Sequence, residues 1–156
     1  MNNLIISQSK NGKGVFTNEN FKFGEVITTF HGKILYFNEI ISNSQEDDHY
    51  IQIGNGIYLE PNDFGYYINH SCYPNSGIRF NDKNIELIAI RGINRTEEIT
   101  LDYSTSMDED YWEMDCNCGY ENCRGRIRDF KYLPETIQQK YIKLGIVPEF
   151  ILKKLN

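Results

Sequence analysis

Asn69-His70-Ser71-Cys72-Tyr73-Pro74-Asn75, then Glu97-Glu98-Ile99-Thr100-Leu101-Asp102-Tyr103, then Cys116-Asn117-Cys118-Gly119-Tyr120-Glu121-Asn122-Cys123 follow one another along a chain of 156 residues. The third stretch is a C-x-C-x4-C cluster, and Cys72 in the first is the only other cysteine. Four thiols divided between a tight cluster and a distant segment suit one tetrahedral zinc, which binds thiolates at about 2.3 Å. In an extended chain Cys116 and Cys118 would share one face but stand about 7 Å apart, so their convergence on one metal needs a turn, which Asn117 and Gly119 tolerate. The alternatives are two disulfides or four unrelated thiols. A Cys116–Cys118 disulfide would close a strained ring, and nothing in the sequence marks an oxidising compartment. The segment also has few apolar residues, so a metal would supply its folding energy. With all four positions taken by sulfur, that zinc is expected to be structural.

Outward from these stretches the chain reads as mainly β within an α+β class. Gly14 to Thr17, Val26 to Phe30, His49 to Ile53, Gly56 to Leu59, Ile78 to Phe80 and Ile85 to Ile90 are short apolar or alternating runs suited to half-buried strands. Asn81-Asp82-Lys83-Asn84 separates two of them as a hairpin turn. After Asp129 the period changes: Leu133, Ile137, Tyr141, Ile142 and Leu144 recur at helical spacing, with Pro134 in the first turn and Gly145 as the stop. A second short helix is predicted from Pro148 towards Leu155, both helices packing over the β core.

Composition bounds the function. A net charge of −6 disfavours capture of nucleic acid and favours a basic partner. No apolar run reaches the roughly twenty residues of a membrane helix, and Met1 to Lys10 lack the pattern of a secretory signal. The expectation is a soluble, intracellular, cytoplasmic, monomeric protein.

In their order and combination the three stretches resemble the SET-domain protein-lysine methyltransferases that carry a post-SET zinc motif. Upstream, Gly12-Lys13-Gly14-Val15-Phe16 is similar to that family's opening cofactor motif. The resemblance implies a β-clip-like fold of short antiparallel sheets with a C-terminal pseudoknot, which would bring Asn69 and His70 beside Tyr103. It implies a SET domain over residues 4–112, a post-SET zinc segment over 113–129 holding Cys72, Cys116, Cys118 and Cys123 on Zn2+, and a helical extension over 130–156.

By the same resemblance, Gly12, Lys13, Gly14, Asn69, His70 and Tyr103 contact S-adenosylmethionine: the glycines by close backbone approach, Asn69 at its polar end, and His70 through main-chain groups at the adenine. Asn11-Gly12 is equally a hairpin signal. Tyr103 corresponds to the active-site tyrosine, with Tyr50, Tyr67 and Leu101 as walls of a narrow channel between cofactor and lysine. The chemistry needs such a channel. A lysine of pKa near 10.4 is neutral only about once in several thousand molecules at pH 7, and the ammonium has no lone pair. An apolar channel beside a sulfonium lowers that pKa, and a hydroxyl can then orient the free amine. Leucine at 101 cannot hydrogen-bond the amine, so di- or trimethylation is expected. The partner would be a basic, histone-like protein.

Some positions depart from the family's pattern. Tyr66-Tyr67 stands where Arg-Phe is common, and Thr29-Phe30-His31-Gly32-Lys33 where Glu-Tyr-x-Gly-Glu is usual. The acidic runs Glu46-Asp47-Asp48 and Asp108-Glu109-Asp110 read as solvated surface, or as an attractor for a basic peptide if they flank its groove. A second reading of the tyrosine-rich chain is a non-catalytic module that holds methyl-lysine by cation–π attraction.

Overall fold

The computed structural model describes residues 3–43, 49–81 and 84–155, so the acidic run at 46–48 and the tip of the 81–84 turn lie outside it. In chain order the elements are β1 (Leu4–Ser9), β2 (Gly12–Thr17), β3 (Val26–Thr29), β4 (Gly32–Tyr36), α1 (Phe37–Asn43), β5 (Ile51–Gly54) and β6 (Ile57–Pro61). Then follow β7 (Asn69–His70), β8 (Ser76–Phe80), β9 (Ile85–Ala89), β10 (Glu98–Leu101), β11 (Met114–Asp115), β12 (Arg126–Ile127), α2 (Glu135–Leu144) and α3 (Glu149–Leu152). They form four small sheets among the described residues: β1-β2-β10-β7, β3-β9-β8, β4-β6-β5 and β11-β12.

The glycine-containing stretch is a hairpin. β1 pairs antiparallel with β2 from Leu4↔Thr17 to Ser9↔Gly12, turning at Lys10-Asn11 with Gly12 at φ +93°. The β8–β9 hairpin is closed by reciprocal Asn81–Asn84 backbone bonds of 3.0 and 3.3 Å, as the turn residues predict. Sequence periodicity did not foresee β1, β4, β10 or α1. β1 keeps only Leu4 buried, and α1 is seven residues long, too short to display a full apolar stripe.

The main core joins Val15, Phe30, Leu59, Ile68, Ile78, Leu87, Ile99 and Leu101 across three sheets. A second cluster packs Ile88 against Phe130, Leu133, Tyr141, Ile146 and Ile151, so the C-terminal helices do cover the β core. α2 starts behind Pro134 and ends at Gly145 in the left-handed region, φ +69°. Ile146 then sits where a Cβ on Gly77 would lie 2.7 Å from its Cγ2, which is why β8 carries glycine there.

The strand that matters most for the site is β10. It pairs antiparallel with β2 (Ile99↔Val15) and parallel with β7 (Thr100↔Asn69, Leu101↔His70). Asn75 clamps its backbone, donating to Glu98 O at 2.8 Å and accepting from Thr100 N at 2.9 Å. Ser76 Oγ adds a bond to Thr100 O at 2.8 Å, and Ser71 N one to Leu101 O at 2.9 Å. A late segment is thus held between the N-terminal hairpin and a mid-chain strand, the crossing that the implied pseudoknot requires.

Candidate active site

Side chains alternate across a strand, so the β7–β10 pair presents two faces. Thr100 and Asn69 line one cavity, of about 210 Å3. Their neighbours Leu101 and Ile68 line another, of about 490 Å3. The two cavities have no lining residue in common. The strand pair lies between them, although His70, the register partner of Leu101, also lines the polar cavity.

The smaller cavity is polar, with Ser9, Lys10, Asn11, Arg91, Glu97 and Glu98 among its walls. Glu98 is its anchor: Ser9 Oγ lies 2.8 Å from both carboxylate oxygens, and Asn69 Nδ2 donates at 2.7 Å. Asn69 Nδ2 also reaches Lys13 O at 3.0 Å, tying β7 to the hairpin. A Cβ on Gly14 would fall 2.2 Å from Glu98 Oε1 and 2.9 Å from Ser9 Cβ, so a side chain there would displace the Glu98 carboxylate from its present bonds. Gly12, Lys13 and Gly14 do not themselves line this cavity, whereas Ser9, Lys10 and Asn11 do. Cys118 and Tyr120 reach its wall from the cysteine-rich segment.

The larger cavity is aromatic. Tyr50, Leu101, Tyr103, Tyr111 and Trp112 line it, together with Glu109. Tyr67 lies elsewhere, edge-on to Tyr66 with Lys13 Nζ 5.6 Å from its ring centre. Tyr103 Oη donates to Ile68 O at 2.7 Å, and burial raises its pKa, so it remains a neutral phenol. With its proton given to Ile68, its oxygen lone pairs are left to accept from a ligand. Tyr103 lines the aromatic cavity and not the polar one.

His70 links these parts. Its ring lies edge-on to Tyr103 at 5.3 Å, and Nδ1 accepts from Tyr103 N at 3.2 Å. That places its proton on Nε2, which faces Cys72 Sγ at 3.4 Å. Burial first, partly opposed by Asp102, lowers its pKa to about 4, so the imidazole is neutral at pH 7 and orients its neighbours.

The four Sγ atoms of Cys72, Cys116, Cys118 and Cys123 all lie within 4.8 Å of one another, and none forms a disulfide. Cys72 and Cys116 stand 3.8 Å apart. A tetrahedron with arms of about 2.3 Å has edges of about 3.8 Å, so the donor set fits zinc. Burial pushes the Cys72 thiol up to about 11, whereas the Gly125 backbone N–H lowers Cys123 to about 7. A dication would favour the thiolate at the buried positions. The turns are made by Gly119 (φ +87°) and Gly125 (φ +71°); Asn117, expected to share that task, is not in the left-handed region.

Sequence reading gave Asp102 and Arg124 no part in the site and Tyr141 only a place in the helical period. Arg124 donates to both Asp102 oxygens at 2.7 Å, Tyr141 Oη donates to Oδ2 at 3.0 Å, and Ser104 N to Oδ1 at 3.1 Å. Arg124 N also donates to Cys72 Sγ at 3.4 Å. This buried carboxylate, one residue before Tyr103, therefore joins the cysteine segment, α2 and β10.

The description of the SET-domain family matches residues 12–104, more than half of the chain. The chain belongs to the SET-domain family. The human protein "Histone-lysine N-methyltransferase 2B" is 30% identical over 129 residues, which is 72% of this chain and 5% of that protein. Arabidopsis thaliana SUVH6, solved in complex with SAM, superposes with a TM-score of 0.67 at 24% identity, over 80% of this chain and 32% of that one. KRYPTONITE, solved with mCHH DNA, an H3(1–15) peptide and SAH, superposes at 0.64 with 24% identity, over 82% and 30%. The SET domain here thus spans a small part of each relative's length, and the structural likenesses establish the fold.

Within this SET domain, the stretches read from sequence converge: Asn69, His70 and Tyr103 meet across β7 and β10, and the four cysteines form one cluster. Ser9 and Trp112 were missed, Glu98 was seen only as part of the stretch that ends at Tyr103, and Glu109 only as part of an acidic run. Ser9 and Trp112 sit in segments with no distinguishing local pattern, so only the fold reveals them.

Proposed function

We propose that this SET domain transfers methyl groups from S-adenosylmethionine to the ε-amine of lysine in a basic, histone-like protein. The observation that carries the reading is the pair of cavities, one polar and one aromatic, set back to back on a single strand pair with the Tyr103 hydroxyl bonded to its edge at Ile68 O. Support comes from the family, from the human histone-lysine methyltransferase relative, and from fold neighbours solved with SAM and with an H3 peptide.

S-adenosylmethionine supplies an electrophilic methyl on a sulfonium. The polar cavity suits its zwitterionic end: Lys10 offers positive charge to a carboxylate, and the Arg91–Glu97 ion pair, 3.0 Å across, and Glu98 place charge of both signs beside it. On the other face, loss of water on entry between Leu101, Tyr103, Trp112 and Tyr111 lowers the pKa of an amine and so raises the share of free base. The Tyr103 oxygen accepts one N–H of that amine and aims its lone pair, so Tyr103 works by positioning and not as a base. Zinc, held by Cys72, Cys116, Cys118 and Cys123, would be a structural cross-link. Leu101 offers no hydrogen bond to hold back a methylated amine, which favours di- or trimethylation. A module that only binds methyl-lysine would leave the polar cavity without a role.

The test is labelled S-adenosylmethionine with core histones, product masses, and Tyr103→Phe. Transfer to lysine with more than one methyl per site is expected, and Tyr103→Phe should cut kcat roughly 100-fold with folding unchanged. Absence of label, or an unaffected Tyr103→Phe, refutes the proposal.

A further inference from the structure

Glu109 is the anomaly of the aromatic cavity. It lines that space, yet its Oε2 is buried and has no hydrogen-bond partner among the described residues; the same is true of Tyr58 Oη in the same wall. Burying a carboxylate oxygen without a partner is costly unless something else satisfies it. The backbone beneath it is fixed. Glu109 N and Asp110 N both donate to Asp129 Oδ2 at 2.8 and 2.6 Å, Asp108 N donates to Gln52 Oε1 at 2.7 Å, and Phe130 N to Met107 O at 3.0 Å. Asp110 adopts φ +59° to complete this turn. The chain therefore holds Glu109 at the cavity wall, and no counter-charge among the described residues pairs with it. Burial, and after it Asp129, raises its pKa to about 7, as an unpaired carboxylate in such a place requires.

A cation would satisfy that oxygen, but the reacting amine is not the one to supply it. A carboxylate facing that amine in an apolar cavity would strengthen its hold on the proton, the opposite of what methyl transfer needs. The cation is a second one on the same ligand. We infer that Glu109 is a specificity-determining residue that pairs with a basic side chain, arginine or lysine, flanking the lysine to be methylated. The cavity's aromatic walls suit a guanidinium, which stacks on rings while its N–H groups bind a carboxylate. This inference rests on reading the aromatic cavity as the peptide-lysine site.

The experiment uses peptides with one central lysine in a Gly/Ser/Ala frame and a single arginine, or its neutral analogue citrulline, at each flanking position. Binding is read by fluorescence anisotropy without any methyl donor. At one position arginine should bind about tenfold or more tighter than citrulline. Glu109→Gln should abolish the difference, and Asp110→Asn, the same charge change on a neighbour outside the cavity, should keep it. Equal binding of arginine and citrulline peptides at every position, or a preference that survives Glu109→Gln, overturns the assignment. A preference that depends on Glu109 in peptides that are never methylated upholds it and refutes the methyl-transfer reading instead.

Discussion

Glu98 and Glu109 are both carboxylates at cavity walls, on opposite sides of the β7–β10 pair, and their circumstances are opposite. Glu98 is bonded by Ser9 and Asn69 and abuts Gly14, whereas Glu109 Oε2 has no partner among the described residues. The first is scaffolding: it fixes the hairpin, β7 and β10 to one another, and so shapes the polar cavity. The second, unpaired among the described residues, is the one we assign to a ligand's charge. The same division runs through the two cavities, one built to satisfy a zwitterion and one to make a charged amine give up its proton.

Removing the metal should erase the contrast most completely. Cys118 and Tyr120 wall the polar cavity, and Trp112, which walls the aromatic one, packs on the cysteine cluster. Protein purified without chelator should carry one zinc per chain, and chelation should cost several kcal/mol in denaturant unfolding. Folded, active protein with clearly substoichiometric metal would contradict the structural role.

Next in size is Asp102→Asn. It leaves Arg124 largely buried beside a neutral amide, at 14% side-chain exposure. The expected loss is about 3–5 kcal/mol of unfolding free energy. A loss under about 1 kcal/mol would mean that the cysteine segment and α2 are held by something other than this carboxylate.

The smallest effect separates the two carboxylates themselves. Glu109 has a folded pKa raised from 4.5 to about 7, so between those values it is ionised in the unfolded chain and still protonated in the fold. The folded state then binds more protons, and stability falls as pH rises through that window. Glu109→Gln lacks this loss. Its stability relative to the parent should rise between pH 4.5 and pH 7.5 by an amount on the order of 1 kcal/mol, discounted for partial exposure. A difference between the two that stays flat across that range would place Glu109 in water.

Much of this was legible in the residues. The cysteine spacing, the Asn-His and Asp-Tyr stretches and the Pro134-to-Gly145 helix carry local signatures, because turn chemistry, thiol spacing and helical period are properties of neighbours in sequence. What escaped was whatever depends on pairing at long range. β10 is four residues whose place is set by Asn75, Ser76 and β7 rather than by its own pattern. Asp102 looked like part of a motif, and its purpose appears only when Arg124 and Tyr141 arrive from beyond it. Asp108-Glu109-Asp110 read as solvated surface or as an attractor for a basic peptide, and the sequence could not choose; Glu109 reaches the cavity because Asp129 and Gln52 bind the backbone of this turn. Tyr67 shows the converse: a tyrosine next to the right motif that packs elsewhere.

A crystal structure with S-adenosylhomocysteine tells whether the two sides of β7–β10 divide donor from acceptor. The ligand should lie in the polar cavity against Asn69, Glu98 and Lys10, with its sulfur towards the strand pair and the Tyr103 hydroxyl beyond it. Density for it in the aromatic cavity, among Tyr50, Trp112 and Glu109, would contradict the division.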